Sequence, residues 1–275
     1  MLLKKSKVHA FICGKVRSIL QRSPGDDPIR VADAFDESGG AYVSQTASGD
    51  FLLYPSNLRK AADGSISGYD LYGAPARGRE AGKEFLIAQD VSGKPEELTE
   101  ESSIFYLRAE TDGAGTLCAY HLPKREEVVI DTEVTAFQQI GGKDSPLCYL
   151  RKEGGSQVLY AYNGTAKTEL DRAVAEFHLY PTQASWELFY LKAQEQDGIF
   201  SLYKQTKTTN AQLVAEGVAS VRFDQYVPGG PLIILCPSAE QLSWTDLIED
   251  DKKEEDAALQ EPKLTDLWAA CWTLC

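Results

Sequence analysis

One block of sequence occurs three times in this chain at intervals of about forty residues, and that period constrains the fold more than any other feature. The first copy runs from Ser103 through Ile104-Phe105-Tyr106-Leu107-Arg108, the second from Leu147 through Cys148-Tyr149-Leu150-Arg151 and the third from Glu187 through Leu188-Phe189-Tyr190-Leu191-Lys192. Glycine turns follow at matching places, Asp112-Gly113, Gly154-Gly155 and Asp197-Gly198. Each turn leads into a segment rich in β-branched or aromatic residues: Leu117 to Tyr120, Val158 to Tyr162 and Phe200 to Tyr203. These are hairpin signals. A third apolar segment comes next (Val128 to Ile130, Glu169-Leu170, Leu213 to Ala215), and a tight polar turn then leads to a fourth (Val134 to Ile140, Val174 to Tyr180, Val218 to Phe223).

Four short antiparallel strands in about forty residues form a unit that cannot bury its apolar faces alone, which is the pattern of one propeller blade. A more divergent unit precedes the three: Phe51 to Tyr54, an Asp63-Gly64 turn, Tyr69 to Tyr72 and Glu84 to Ala88, with Val91 lying 43 residues before Val134. Its polar inserts, Gly73 to Lys83 and Gly93 to Glu101, are expected to be surface loops. Pro231 to Cys236 reads as the first strand of a further unit, and Ile29 to Ala34 with Ala41 to Gln45 as the last two strands of a preceding one. Paired, these pieces would close a ring and cover exposed strand edges. The expected fold is therefore all-β: a β-propeller of four-stranded antiparallel blades over residues 29–236, five blades including a composite closing blade. A cropped piece of a larger ring is the competing reading.

The aromatic openings, the Leu159-Tyr160-Ala161-Tyr162 type of second strand, and the Ile130-Asp131 and Leu170-Asp171 pairs ahead of Val134 and Val174 resemble TolB-like propeller repeats, over roughly Phe51 to Cys236. The likeness is to divergent propellers of bacterial envelope-associated proteins with no assigned function, in which such an array follows a membrane anchor. The resemblance suggests a cell-envelope association, although this chain shows no signal peptide or anchor, and it carries no catalytic or ligand residue to any position here. Trp-Asp dipeptides, kelch glycine pairs and sialidase Asp-boxes are missing from these blades.

With 28 Lys and Arg against 41 Asp and Glu, the formal charge is −13. Nucleic acid is an unsuitable partner, because phosphate binding needs clustered cations. Residues 1–28 reverse the sign: Lys4, Lys5, Lys7, Lys15, Arg17 and Arg22 precede the first carboxylate, Asp26. The apolar run Val8 to Cys13 is too short for a secretory signal, and no run approaches the ~20 residues of a transmembrane helix. The six cysteines, Cys13, Cys118, Cys148, Cys236, Cys271 and Cys275, show no zinc-type spacing. Cys118 and Cys148 stand where sibling copies carry aromatics, and read as core fillers. No metal or cofactor is expected.

Residues 237–275 change character, with an acidic linker from Asp246 to Asp256 and then Leu264, Leu267, Trp268, Cys271, Trp272 and Cys275 along one side of a predicted helix. That stripe needs a covering surface, supplied either by the chain's own body or by a partner or membrane. Leu264, Leu267, Trp268 and Trp272 are the candidate partner-binding residues.

His9, His121 and His178 fall in different contexts and define no catalytic triad, and the common nucleotide-binding, hydrolase-elbow and zinc-protease motifs are missing. No catalytic residue is nominated. Asp112-Gly113-Ala114-Gly115 and Asn163-Gly164-Thr165 read as hairpin turns, and Glu96, Glu97, Glu100 and Glu101 as a solvated acidic loop. The expected function is a non-enzymatic binding or scaffolding module for a protein or glycan ligand. The alternative is a hydrolase or lyase whose carboxylates are dispersed around the tunnel mouth.

Overall fold

The computed structural model describes residues 9–12, 19–22, 29–32, 41–98, 101–109, 113–140, 145–182, 185–196, 198–228, 230 and 232–236. Nearly all regular structure in these segments is strand, and a short 3-10 turn lies at Phe223–Gln225. β1 (His9–Ile12), β2 (Ile19–Arg22) and β3 (Ile29–Ala32) form a small antiparallel sheet.

A second sheet runs through ten strands in sequence order: β4 (Tyr42–Thr46), β5 (Gly49–Lys60), β6 (Ile66–Pro75), β7 (Phe85–Leu98), β8 (Ser103–Ala109), β9 (Gly115–His121), β10 (Glu126–Gln138), β11 (Leu147–Glu153), β12 (Ser156–Tyr162) and β13 (Lys167–Arg172). β14 (Val174–Pro181), β15 (Trp186–Ala193), β16 (Phe200–Thr206) and β17 (Gln212–Val218) make a four-stranded sheet, and β18 (Ser220–Val221) pairs with β19 (Ile234–Leu235).

The all-β class stands, but the propeller does not. The ladder continues through ten strands where the sequence predicts a break every four, and no described sheet closes or curls on itself. The cause is local. The polar turn expected ahead of Val134 is a bulge inside one continuous strand, with Glu133 at φ 59° and register shifts at Asp131 and Val134. The first half of β10 therefore pairs with β9 and its second half with β11. Asp90 at φ 56° plays the same part within β7, whose far end pairs with β8 through the stretch expected to be a loop. At Ala173 (φ 58°) the kink does interrupt the ladder, so β13 ends one sheet and β14 begins the next. The composite closing blade is not formed either. Ile234–Leu235 pairs with Ser220–Val221, and Ile29–Ala32 pairs with β2.

The left-handed residue precedes a buried valine each time: Asp90 before Val91, Glu133 before Val134, Ala173 before Val174 and Gly217 (φ 67°) before Val218. A non-glycine residue held there costs on the order of 1–3 kcal/mol, so packing of the following valine must offset it. Turn chemistry was legible. Gly154 and Gly155, both at positive φ, close the tight hairpin that joins Glu153 to Ser156. Asn163 Oδ1 accepts the backbone N–H groups of Thr165 and Ala166 at 3.1 and 2.9 Å, as a turn residue should.

The three opening strands are buried on both faces. In β11, Leu147 and Tyr149 pack with Phe105, Leu117 and Val134, while Cys148 and Leu150 pack with Phe177, Leu179 and Tyr190. Strand alternation sends neighbouring residues to different clusters, so each unit covers the next. Cys118 and Cys148 are fully buried fillers, and burial pushes the Cys148 thiol up to about 12. Gln138 joins the two larger sheets: its amide donates to the Leu179 carbonyl at 2.9 Å and accepts the Leu179 N–H at 2.8 Å, imitating a backbone bridge.

Candidate functional site

The recurring Tyr-x-Arg or Tyr-x-Lys of β8, β11 and β15 has a structural meaning that the sequence reading did not assign. Residues two apart on a strand share a face, so each phenol and its basic neighbour reach the same carboxylate. Tyr106 donates to Glu127, and Arg108 Nη2 lies 3.1 Å from that carboxylate. Tyr149 donates to Asp131 at 2.8 Å, while Arg151 and Lys167 stand 3.7 and 3.1 Å from its oxygens. Tyr190 donates to Asp171 at 3.1 Å, and Lys192 is 2.6 Å away.

Buried tyrosines need a partner for the hydroxyl, and a buried carboxylate needs cations. At Asp131, burial pushes the carboxyl up, but the bonds from Tyr149, Lys167 and the Thr132 N–H, with Arg151 beside it, outweigh burial and hold it below the usual range. Asp70 behaves alike: burial raises it, and Asn57, the Asp90 N–H and Arg59 bring it down. All described carboxylates with a resolved shift, Asp63, Asp70, Glu80, Asp131, Glu153 and Glu187, move down. Asp70 and Asp131, the buried ones, are thus held as anions at the centre of hydrogen-bonded nodes.

Two open clefts lie on the surface. One, of about 440 Å³, is lined by Leu86, Ala88, Asp90, Arg108, Thr116 and Glu127. The other, of about 540 Å³, lies where Thr182 and Ser185 of the β14–β15 turn and Trp186 at the start of β15 approach Thr206, Thr208 and Pro228.

The first cleft borders strand edges that no described strand covers. The Phe85–Ala88 part of β7 pairs only with β6, and the Glu126–Val129 part of β10 only with β9. Leu86 is exposed there, and Val128 and Val129 are 55% and 52% exposed. Consecutive strand residues point to opposite faces, so this end of β10 is open on both faces as well as along its edge.

The residues nominated from sequence, Leu264, Leu267, Trp268 and Trp272, lie outside the described residues, as does the predicted helix. His121 Nδ1 accepts the Lys124 N–H at 3.3 Å and thus closes a turn. His178 contacts Glu176 at 2.7 Å and stacks on Phe223 at 4.1 Å. Among the described residues no cluster of His, Cys, Asp and Glu has the arrangement of a metal site, and no helix is long and apolar enough to cross a membrane.

No family model matches the sequence, and no curated protein matches it. Among solved structures, one described as a crystal structure of the eukaryotic initiation factor superposes with a TM-score of 0.42 at 12% identity, over 80% of this chain and 58% of that one. The chain thus spans 58% of that neighbour's length, and a likeness of this size supports no argument about fold or function.

Proposed function

We propose that the β-sheet body is a non-enzymatic binding or scaffolding module for a protein, which it holds by adding an extended segment to the open edge of β10. The observation that carries this reading is the pair Val128 and Val129, 55% and 52% exposed on an edge that no described strand covers. Unpaired strand groups flanked by β-branched side chains are a template for another strand. Glu126 sits beside them in an acidic chain, which discourages two copies from pairing and favours a segment alternating apolar residues with Lys or Arg.

Selection of displayed peptides of about twelve residues against the full chain tests this, since strand addition engages a segment of about five or more residues. The expected peptides alternate apolar and basic residues and bind at least ~10-fold more weakly when Val128→Lys and Val129→Lys are combined, a loss of about 1.4 kcal/mol. Equal binding to both proteins, or failure to enrich any peptide, sinks the proposal.

A further inference from the structure

We propose that Asn163, in the exposed turn between β12 and β13, is a site of spontaneous deamidation that the turn itself promotes. It is independent of the strand-edge reading. The chain has three asparagines, Asn57, Asn163 and Asn210, and only Asn163 is followed by glycine. Deamidation begins when the backbone nitrogen of the next residue attacks the side-chain carbonyl carbon, a ring closure whose two reactants are already joined. A side chain on that next residue would crowd the approach, and Gly164 has none. Even a Cβ built on Gly164 would meet nothing within 4 Å, so the new ring has room.

Two features of the turn favour the attack. Asn163 Oδ1 accepts the Thr165 N–H at 3.1 Å, the Ala166 N–H at 2.9 Å and the Thr165 hydroxyl at 3.0 Å. Three donors aimed at one carbonyl oxygen stabilise the negative charge it takes on in the tetrahedral intermediate, as an oxyanion hole does. The nucleophile and the leaving group are uncommitted: among the described residues, the Gly164 N–H and Asn163 Nδ2 make no hydrogen bond. Asn57 differs on both counts, since its Nδ2 donates to Asp70 at 2.8 Å and Leu58 follows it.

The reaction balances with water alone. Hydroxide takes the Gly164 amide proton and the nitrogen bonds to Cγ. The Cγ–Nδ2 bond then breaks; Nδ2 takes a proton from water and leaves as ammonia, which returns the hydroxide and leaves a succinimide. Water opens that ring at Cγ to give aspartate, or at the main-chain carbonyl to give isoaspartate, whose backbone is one carbon longer. Nothing is oxidised or reduced. The extra carbon matters here because Tyr162 pairs with Lys167 directly across the turn, and Lys167 Nζ reaches the buried Asp131 at 3.1 Å. Isoaspartate would shift β13 against β12 and draw Lys167 from that node, whereas aspartate keeps an oxygen for the same N–H groups.

The test is to age the full chain in neutral and mildly alkaline buffer and to follow each asparagine by peptide mass spectrometry, with fragmentation that separates aspartate from isoaspartate. Asn163 should convert at least ~10-fold faster than Asn57 or Asn210, and faster in alkali than at neutrality. Thr165→Val removes one of the three donors from an exposed position and should slow the conversion at least ~2-fold. The converted protein, part isoaspartate, should melt below Asn163→Asp, which carries only the normal backbone. Equal rates at the three asparagines, or an unchanged rate in Thr165→Val, overturns the proposal. A converted protein as stable as Asn163→Asp overturns its consequence for β13.

Discussion

Asp131→Asn is the substitution whose consequence follows most directly from the structure. The carboxylate is 6% exposed and gathers Tyr149, Lys167, Arg151 and the Thr132 N–H around one point between β10, β11 and β13. Asparagine keeps the shape and an acceptor but turns an amide toward two cations. Breaking a fully buried pair costs about 3–5 kcal/mol. Here Arg151 and Lys167 are 32% and 43% exposed and recover part of their hydration, so that range is an upper limit. Loss of hydrogen bonds to a charged group, at about 1.5–3 kcal/mol, is the better guide, giving a destabilisation of about 2–3 kcal/mol. That corresponds to a fall in melting temperature of about 5–10 °C for a body of this size.

The pH dependence has a definite sign. The folded-state pKa of Asp131 lies below its unfolded value, so its stabilisation is present above the unfolded pKa of about 3.9 and is lost as pH falls through the folded value. Urea melts of both proteins from neutral pH to about pH 2.5 should therefore show a gap that is full at neutrality and closes in acid. A neutral-pH gap under ~0.5 kcal/mol, or one that persists undiminished in acid, would refute the reasoning. A cycle with Tyr149→Phe should return a coupling above ~0.5 kcal/mol, because the two groups touch.

Gly115→Ala would set a Cβ 2.3 Å from the Arg108 carbonyl oxygen, within a paired stretch of β8 and β9 that cannot easily move, so a loss of at least ~2 kcal/mol is expected in urea melts. A loss below ~0.5 kcal/mol would mean that the two strands separate more readily than their register implies. Gln138→Ala removes both bonds to the Leu179 peptide and should cost about 1–3 kcal/mol, with hydrogen exchange at the Leu179 amide accelerated ~10-fold or more. Unchanged exchange there would show that the side chain is not what joins β10 to β14.

Sequence reading located the strands because their apolar alternation and glycine turns are local signals. Tyr149, Leu150 and Val158 fall on strands as expected, and Gly154-Gly155 turns where it should. It did not locate the tyrosine–carboxylate nodes, although the recurring Tyr-x-Arg and the Leu170-Asp171 type of pair were both in view. Nothing in a linear spacing says that Asp171 on β13 meets Tyr190 on β15. Leu264, Leu267, Trp268 and Trp272 were found by helical periodicity alone, and the described strands do not reach them. The two clefts left no motif, since Trp186 and Thr208 are brought together by the pairing of the start of β15 with the end of β16 rather than by adjacency.

What the sequence determined by itself was the all-β character, because side-chain alternation and turn propensity act within a few residues. Only the tertiary structure decided whether those units separate into blades or continue as one ladder. The deciding groups are single residues such as Glu133 and Ala173, held in the left-handed region ahead of a buried valine. A bulge and a chain reversal can be written with the same polar residues, and the choice between them rests on which strand the next valine packs against.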